Sequence, residues 1–302
     1  IIFRIYIMSI ITDKLKENRS CLSVGSLKTY TSILNSIHDK VYGDKDVELA
    51  DYDDDVKILN FLKDLPANKR KTLLSALFVL TNNQKYRIDM MEDISTYTDQ
   101  LKTHEKTPVE EENWKSTQDI KNIYNKLRTE ANHIYKTKGE VEMSEIQKIQ
   151  DLIIVCLCGG LFIPPRRSLD WCLMKSKPPV DVDKDNYIVG NEFVFNTYKT
   201  SKYYNQQRVS IPKDLKTIIT KWIKINPTNY LLFDKNQNAL TSVKLNQRLN
   251  KIFDGSVGVN ILRKSYLTSK YGDHLNNKKE MENTAEKMGT STNMIESTYI
   301  KN

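Results

Sequence analysis

The sequence predicts a mainly α-helical protein that carries one small antiparallel β-sheet and is divided into two domains. Apolar residues recur at helical spacing through residues 20 to 105, again through 114 to 172, and from 213 towards the C-terminal end, whereas residues 187 to 211 alternate with the two-residue period of strands. Between the first two helical blocks, Lys102 to Glu112 is polar and aperiodic, with Pro108 and four acidic residues, as a linker would be. A chain of 302 residues is long enough for two cores. The expected division is a leader over 1–19, a helical domain over 20–105, a linker over 106–114 and a second domain over 115–302.

The leader opens with the apolar run Ile1 to Met8, which is too short to span a bilayer and lacks a signal peptide's small-residue cleavage pattern. Met8 is a candidate start. In the first domain, Ser23 or Ser26 caps a helix with Leu27, Tyr30, Ile33, Leu34 and Ile37 on one face. Asp51 to Asp55 place carboxylates at a second helix start. Pro66 opens a third helix with an apolar stripe at Leu73, Leu74, Ala76, Leu77 and Leu80, and a fourth runs from about Gln84 to His104. In the second domain a helix from Trp114 ends near Gly139, and another, with Ser144 as a candidate cap, buries Ile149 to Leu157 and stops at Gly159 and Gly160. Strands follow at Tyr187–Val189, Glu192–Tyr198 and Gln207–Ile211, closed by Pro212. The remainder is helical: 215–225, 242–253, 259–271, 279–288 and 292–299.

The formal net charge is +8, and its distribution is uneven. Residues 1–110 hold 16 basic and 17 acidic side chains, and residues 111–302 hold 30 and 21, so the surplus lies in the C-terminal two-thirds and suits a polyanionic partner. Cys21, Cys156, Cys158 and Cys172 form no Cys-x-x-Cys pair and read as reduced thiols of an intracellular protein. His38, His104, His133 and His274 match no metal-ligand spacing.

Several residues are candidates for chemistry. Arg167 follows two prolines, and Asp170, three residues on, can orient its guanidinium for bidentate phosphate recognition. Lys199 lies at the tip of the expected hairpin, where it can enter a DNA groove and protonate a leaving alkoxide. Arg263 sits on a helix whose Leu262, Tyr266 and Leu267 can face the core while Arg263 points away. Paired with Arg167 it would clamp one phosphate and stabilise the charge of a pentacoordinate transition state. Lys69, Arg70 and Lys71 put three cations on one helical turn, either for DNA phosphates or as a solvated face. Tyr299 stands three residues from the end, after Met288, Gly289 and Thr290.

This order, Arg-x-x-Asp, a hairpin Lys, x-x-Leu-Arg and then Gly-x with a later Tyr, resembles the tyrosine recombinase (phage integrase) family, which shares its catalytic fold with type IB topoisomerases. The resemblance covers about residues 115 to 302 by motif; the N-terminal domain fits the family's core-binding domain by size and class. The Pro164, Pro165, Arg166, Arg167 lead-in is similar to integrase-like recombinases of eukaryotic viruses and mobile elements. The resemblance implies that Arg167 and Arg263 are the clamp, Lys199 the general acid with Lys202 as its substitute, and Tyr299 the nucleophile forming a 3′-phosphotyrosyl link. It implies duplex DNA held between two domains, contacts from Lys69, Arg70, Lys71, Lys202 and Lys264, and a homo-tetramer on paired sites. No metal, small-molecule cofactor or membrane is implied, and the setting would be a reducing compartment, the host nucleus or cytoplasm if the source is viral. Two positions depart from the pattern: Asn260 stands where the family most often has His, and Thr290 where it has His or Trp. Neither replacement titrates near neutral pH. A topoisomerase, a DNA-binding relative without turnover, and an unrelated helical interaction protein are the competing readings.

Overall fold

The computed structural model describes residues 2–43, 45–136 and 141–296, with side chains from residue 10 onward except those of residues 275 and 279. Tyr299 and Gly139 lie outside the described residues. The chain forms two compact units, Ile1–Glu105 and Lys106–Asn302.

The first unit is helical: α1 (Ile2–Asn18), α2 (Val24–Tyr42), a 3₁₀ turn (Leu49–Asp53), α3 (Asp55–Leu62), α4 (Ala67–Thr81) and α5 (Gln84–Lys102). Ser23 caps α2, its hydroxyl accepting from the Ser26 amide at 3.0 Å. Leu74, Ala76, Leu77 and Leu80 of α4 are buried, together with Leu34, Ile37, Tyr52 and Tyr86. The expected leader is corrected here, because Ile11 and Leu15, one helical turn apart, are fully buried in this core. Asn18 also donates to the carbonyls of Val79 and Leu80 at 3.0 and 2.6 Å. Apolar residues in α1 thus serve the core, and the helix is part of the unit.

His38 is fully buried and makes a 3.0 Å hydrogen bond from Nε2 to Asp51, which also receives Lys45 at 2.5 Å. Burial raises the Asp51 carboxyl, but the bonds from Lys45 and His38 outweigh it and hold the group below its ordinary value.

In the second unit, the segment expected to be a free linker contains the short helix α6 (Pro108–Asn113). Thr107 and Glu110 form a capping box with Pro108 at the first helical position, a start signal that local polarity obscures. Asn113 accepts from the Ser256 amide at 2.6 Å, and Glu110 pairs with Lys264, so the segment is docked.

Then follow α7 (Thr117–Lys136), α8 (Met143–Cys158), α9 (Ser168–Cys172), β1 (Met174–Lys175), β2 (Asn186–Val189), β3 (Glu192–Phe195), α10 (Ser201–Tyr204), β4 (Gln207–Ser210), α11 (Lys213–Ile225), α12 (Ser242–Phe253), α13 (Val259–Met288) and α14 (Thr292–Met294). The apolar run from Leu152 through Cys158 makes α8 the central helix, buried on all sides and packed by α7, α11 and α12. Glu142, rather than Ser144, caps it.

The sheet has the order β1-β2-β3-β4, antiparallel across β2, β3 and β4, with the two-residue β1 added in parallel at the edge. Phe193 and Phe195 of β3 are fully buried and meet Trp171 of α9 edge-on, with ring centroids 5.1 and 5.4 Å apart. That contact fixes α9 against the sheet. The two helices expected over 259–271 and 279–288 are one continuous helix of 30 residues, Gly272 being tolerated in its interior. Beyond Tyr266 this helix is largely exposed; Leu267, expected in the core, is 49% exposed. No described helix is long and apolar enough to cross a membrane.

Candidate active site

The residues between α8 and α9 build one wall of a cleft of about 360 Å³ in the second unit. Gly160, at φ +75°, turns the chain out of α8, and Pro164 and Pro165 then carry it to Arg166 and Arg167. Arg167 is the cap residue of α9. Opposite stands Arg263, in the second turn of α13, whose Nε donates to the Pro165 carbonyl at 3.2 Å. That bond leaves the two terminal nitrogens of Arg263 for an incoming anion. Arg263 is held below the ordinary arginine value, first by burial and then by the charge of Arg167, with Asp170 opposing both. It stays cationic at neutral pH. The structure therefore brings Arg167 and Arg263 into one electrostatic site.

Asp170 does not orient Arg167 as expected. It accepts instead from Arg166 Nε at 2.9 Å, four residues back rather than three. Arg166 also donates to Gln207 at 2.8 Å, and its guanidinium carbon lies 3.9 Å from the Phe195 ring centroid. It is thus anchored by three side chains and was not singled out from sequence; its i,i+4 relation to Asp170 was the available signal. Asp170 is 2% exposed, and its Oδ1 has no hydrogen-bond partner. Burial raises its carboxyl despite the attraction of Arg166, Arg167 and Arg263, so desolvation dominates.

Lys199 lies in the β3–β4 connection. This is a longer excursion containing the one-turn helix α10, rather than a tight hairpin. Its neighbours Tyr198 and Thr200 line the cleft, as does Tyr204, while Lys199 itself is exposed and outside the lining. Lys202 is exposed on α10. Asn260 is exposed in the first turn of α13, on the same helix end as Arg263, where free amides favour anions. Lys264 is paired with Glu110 rather than free.

Thr290 is not brought to the cleft. Its amide bonds to the Ala285 carbonyl at 2.9 Å, beyond the far end of α13, where Gly289 closes the helix at φ +65°. Arg263 and Ala285 are separated along α13 by roughly 33 Å at about 1.5 Å per residue.

In the first unit, the three-cation expectation is corrected. Arg70 makes a bidentate pair with the buried Asp93 at 2.8 and 2.7 Å, and Lys71 Nζ lies 3.4 Å from the Tyr97 ring centroid. Lys69 is exposed. The expectation missed Asp93 because it lies 23 residues away, on α5.

No protein-family profile matches the chain, and no curated protein matches it. Among solved structures, a lambda integrase (75-356) dimer bound to a COC′ core site is similar with a TM-score of 0.47 and 13% identity, over 86% of this chain and 87% of that one. XerA recombinase is similar with a TM-score of 0.33 and 12% identity, over 86% and 83%.

Proposed function

We propose that the chain is a DNA strand transferase of the tyrosine recombinase type, a site-specific recombinase or integrase serving a viral or mobile element. The observation that carries this reading is the convergence of Arg167 and Arg263 on one cleft, with the buried Asp170 behind them. Two guanidiniums lining one cleft can meet the non-bridging oxygens of a phosphodiester and stabilise the charge added in a pentacoordinate transition state without a metal ion.

In this mechanism the Tyr299 phenol loses its proton to solvent as its oxygen attacks the phosphorus of a DNA phosphodiester. Its bond forms as the bond to the 5′-oxygen breaks, giving a 3′-phosphotyrosyl link. Lys199 gives its proton to the departing oxygen. The energy of the broken bond is kept in the link, so the 5′-hydroxyl of another strand reverses the step without ATP. Lys69 and Lys202 are candidates for phosphate contacts, and binding would weaken steeply with salt. The buried, unpaired Cys156, Cys158 and Cys172 suit a reducing compartment.

The length of α13 bears on how Tyr299 is delivered. From Glu296 only three residues lead to Tyr299, a span of about 10 Å when extended, against the roughly 33 Å of helix between Arg263 and Ala285. We infer that, with α13 unbroken, the nucleophile for one cleft comes from a second copy, as a homo-tetramer on paired DNA sites would allow. A mixture of Arg263→Ala and Tyr299→Phe proteins should then form covalent adduct that neither forms alone; failure of the mixture would point to a rearranged α13.

The test of the reading is trapping on a nicked suicide DNA substrate. Wild type should form a denaturant-resistant protein–DNA adduct and Tyr299→Phe none. If neither forms it, the reading fails in favour of a DNA-binding relative without turnover. One observation favours that alternative: Asn260 occupies the place of a titrating base. Asn260→His with Thr290→His should raise cleavage if these positions mark losses.

A further inference from the structure

A second concave surface on the Lys106–Asn302 unit shares no lining residue with the arginine cleft. It is a trough between α7 and α11, of about 450 Å³, that continues along α11 into a chamber of about 430 Å³; Thr217 and Lys221 line both. Its α7 wall presents Lys121, Asn125, Arg128 and Asn132, spaced so that all four lie on one helical face. Its α11 side adds Lys221 and, in the second chamber, Lys213 and Lys216. Five cations thus face one carboxylate, Asp214.

The walls also carry rings. Tyr124 and Phe162 meet edge-on with centroids 5.4 Å apart, and the Tyr135 ring lies 5.8 Å from Lys221 Nζ. All three rings are half-buried. Burial pushes the Tyr135 phenol up to about 12, so it keeps its proton at neutral pH and can donate to an anion. Cations beside partly open aromatic faces are the two elements that hold a nucleic acid strand: charge tracks its phosphates, and a ring accepts an unstacked base.

We propose that this trough binds single-stranded nucleic acid, its phosphates along Lys121, Arg128 and Lys221 and a base against the Tyr124, Tyr135 and Phe162 rings. A duplex keeps its bases stacked within the helix and has none to lay on these rings. A mononucleotide would leave the Lys213 to Lys221 run, about 12 Å along α11 at ~1.5 Å per residue, without a phosphate. The inference does not depend on the strand-transfer reading, since it rests on a different set of residues.

The experiment measures anisotropy of labelled oligothymidylate on the full chain, with an abasic oligomer of equal length and a duplex for comparison. Arg128→Gln with Lys221→Gln should weaken oligothymidylate binding at least about tenfold and lower the salt slope by about 1.4, the value for two lost single-strand phosphate contacts. Wild type should bind the abasic oligomer several-fold more weakly, and Tyr124→Leu should abolish that difference. Photocrosslinking of 5-iodouracil-substituted strand to wild type should label peptides holding Tyr124, Tyr135 or Phe162, a readout that needs no variant to fold. Unchanged affinity in the folded double variant overturns the proposal. So does equal binding of the abasic oligomer, which would mark a plain anion surface, or crosslinking only outside the trough. A preference for duplex that is lost in the same variants would overturn it in favour of a double-stranded ligand.

Discussion

Gly160→Ala tests whether the turn out of α8 sets the geometry of both arginines. Gly160 has φ +75°, and a Cβ there would lie 2.6 Å from Tyr266 Cδ2 and 3.2 Å from Tyr266 Cβ. The left-handed conformation costs a residue with a Cβ about 1–2 kcal/mol. The ring could swing, but the Tyr266 Cβ is fixed to α13, so the helix must shift, a distortion of about 1–3 kcal/mol for an overpacked site. Together these predict a loss of about 2–5 kcal/mol, or a fall in the melting temperature of the second unit of about 5–15 °C. Because Tyr266 lies one turn beyond Arg263 on α13, the shift should also separate Arg263 from Arg167 and lower cleavage of a nicked substrate in the surviving folded fraction. Gly190→Ala is the control: its φ is +53° and nothing lies within 4 Å of the added Cβ, so only the backbone term, about 1–2 kcal/mol, applies. Calorimetric melting of the three proteins decides the matter. A Gly160→Ala transition indistinguishable from wild type would refute the packing of Tyr266 against this turn.

Three other outcomes are expected. Arg70→Ala leaves the Asp93 carboxylate buried and unpaired and should cost about 2–3 kcal/mol in urea unfolding, at or below the foot of the range for a broken buried pair because Arg70 is 26% exposed; a loss under about 0.5 kcal/mol would show the pair to be idle. Asp51 has its carboxyl held below 3.8, so its stabilisation is complete above that pH and is lost as pH falls through the lowered value. Acid unfolding of Asp51→Asn should lack that part of the wild-type slope, and identical slopes would contradict the Lys45 and His38 contacts. Lys199→Ala should slow cleavage roughly 10²- to 10⁴-fold on an ordinary phosphodiester but hardly at all on a substrate with sulfur at the bridging 5′ position, since a thiolate leaves without a proton. Equal losses on both substrates would remove Lys199 as the acid.

Much of the architecture was legible because burial imposes periodicity. The strands expected at Tyr187–Val189, Glu192–Tyr198 and Gln207–Ile211 correspond to β2, β3 and β4, since turn residues and Pro212 bracket them. The stripe on α4 and the buried length of α8 followed from the same logic. What escaped was set by tertiary partners. β1 has two residues and exists only by pairing with β2 and with the chain at Tyr230 and Leu231, so no local pattern announces it. The docking of α6 depends on Ser256 and Lys264, far along the chain. Continuity of α13 through Gly272 was misread because a glycine followed by a mostly polar stretch, Asp273 to Glu280, is also a stop signal. In the cleft, residue types and order pointed to Arg167 and Arg263, but the partner of Asp170 was not readable. Arg166 and Arg167 are equally plausible on spacing, and packing of Arg166 over Phe195 decides between them. The corrected role of Arg70 has the same origin, a carboxylate brought in by another helix.

The most direct test of the central claim is to map the covalent link. A complex trapped on a suicide substrate would be digested with nuclease and trypsin, and the peptide Met288–Lys301, whose only tyrosine is Tyr299, would be examined by mass spectrometry. The strand-transfer account predicts residual nucleotide mass on Tyr299 in wild type and its absence in Arg263→Ala protein assayed alone. Nucleotide on any other residue, or a Met288–Lys301 peptide that stays unmodified while cleavage proceeds, would contradict it.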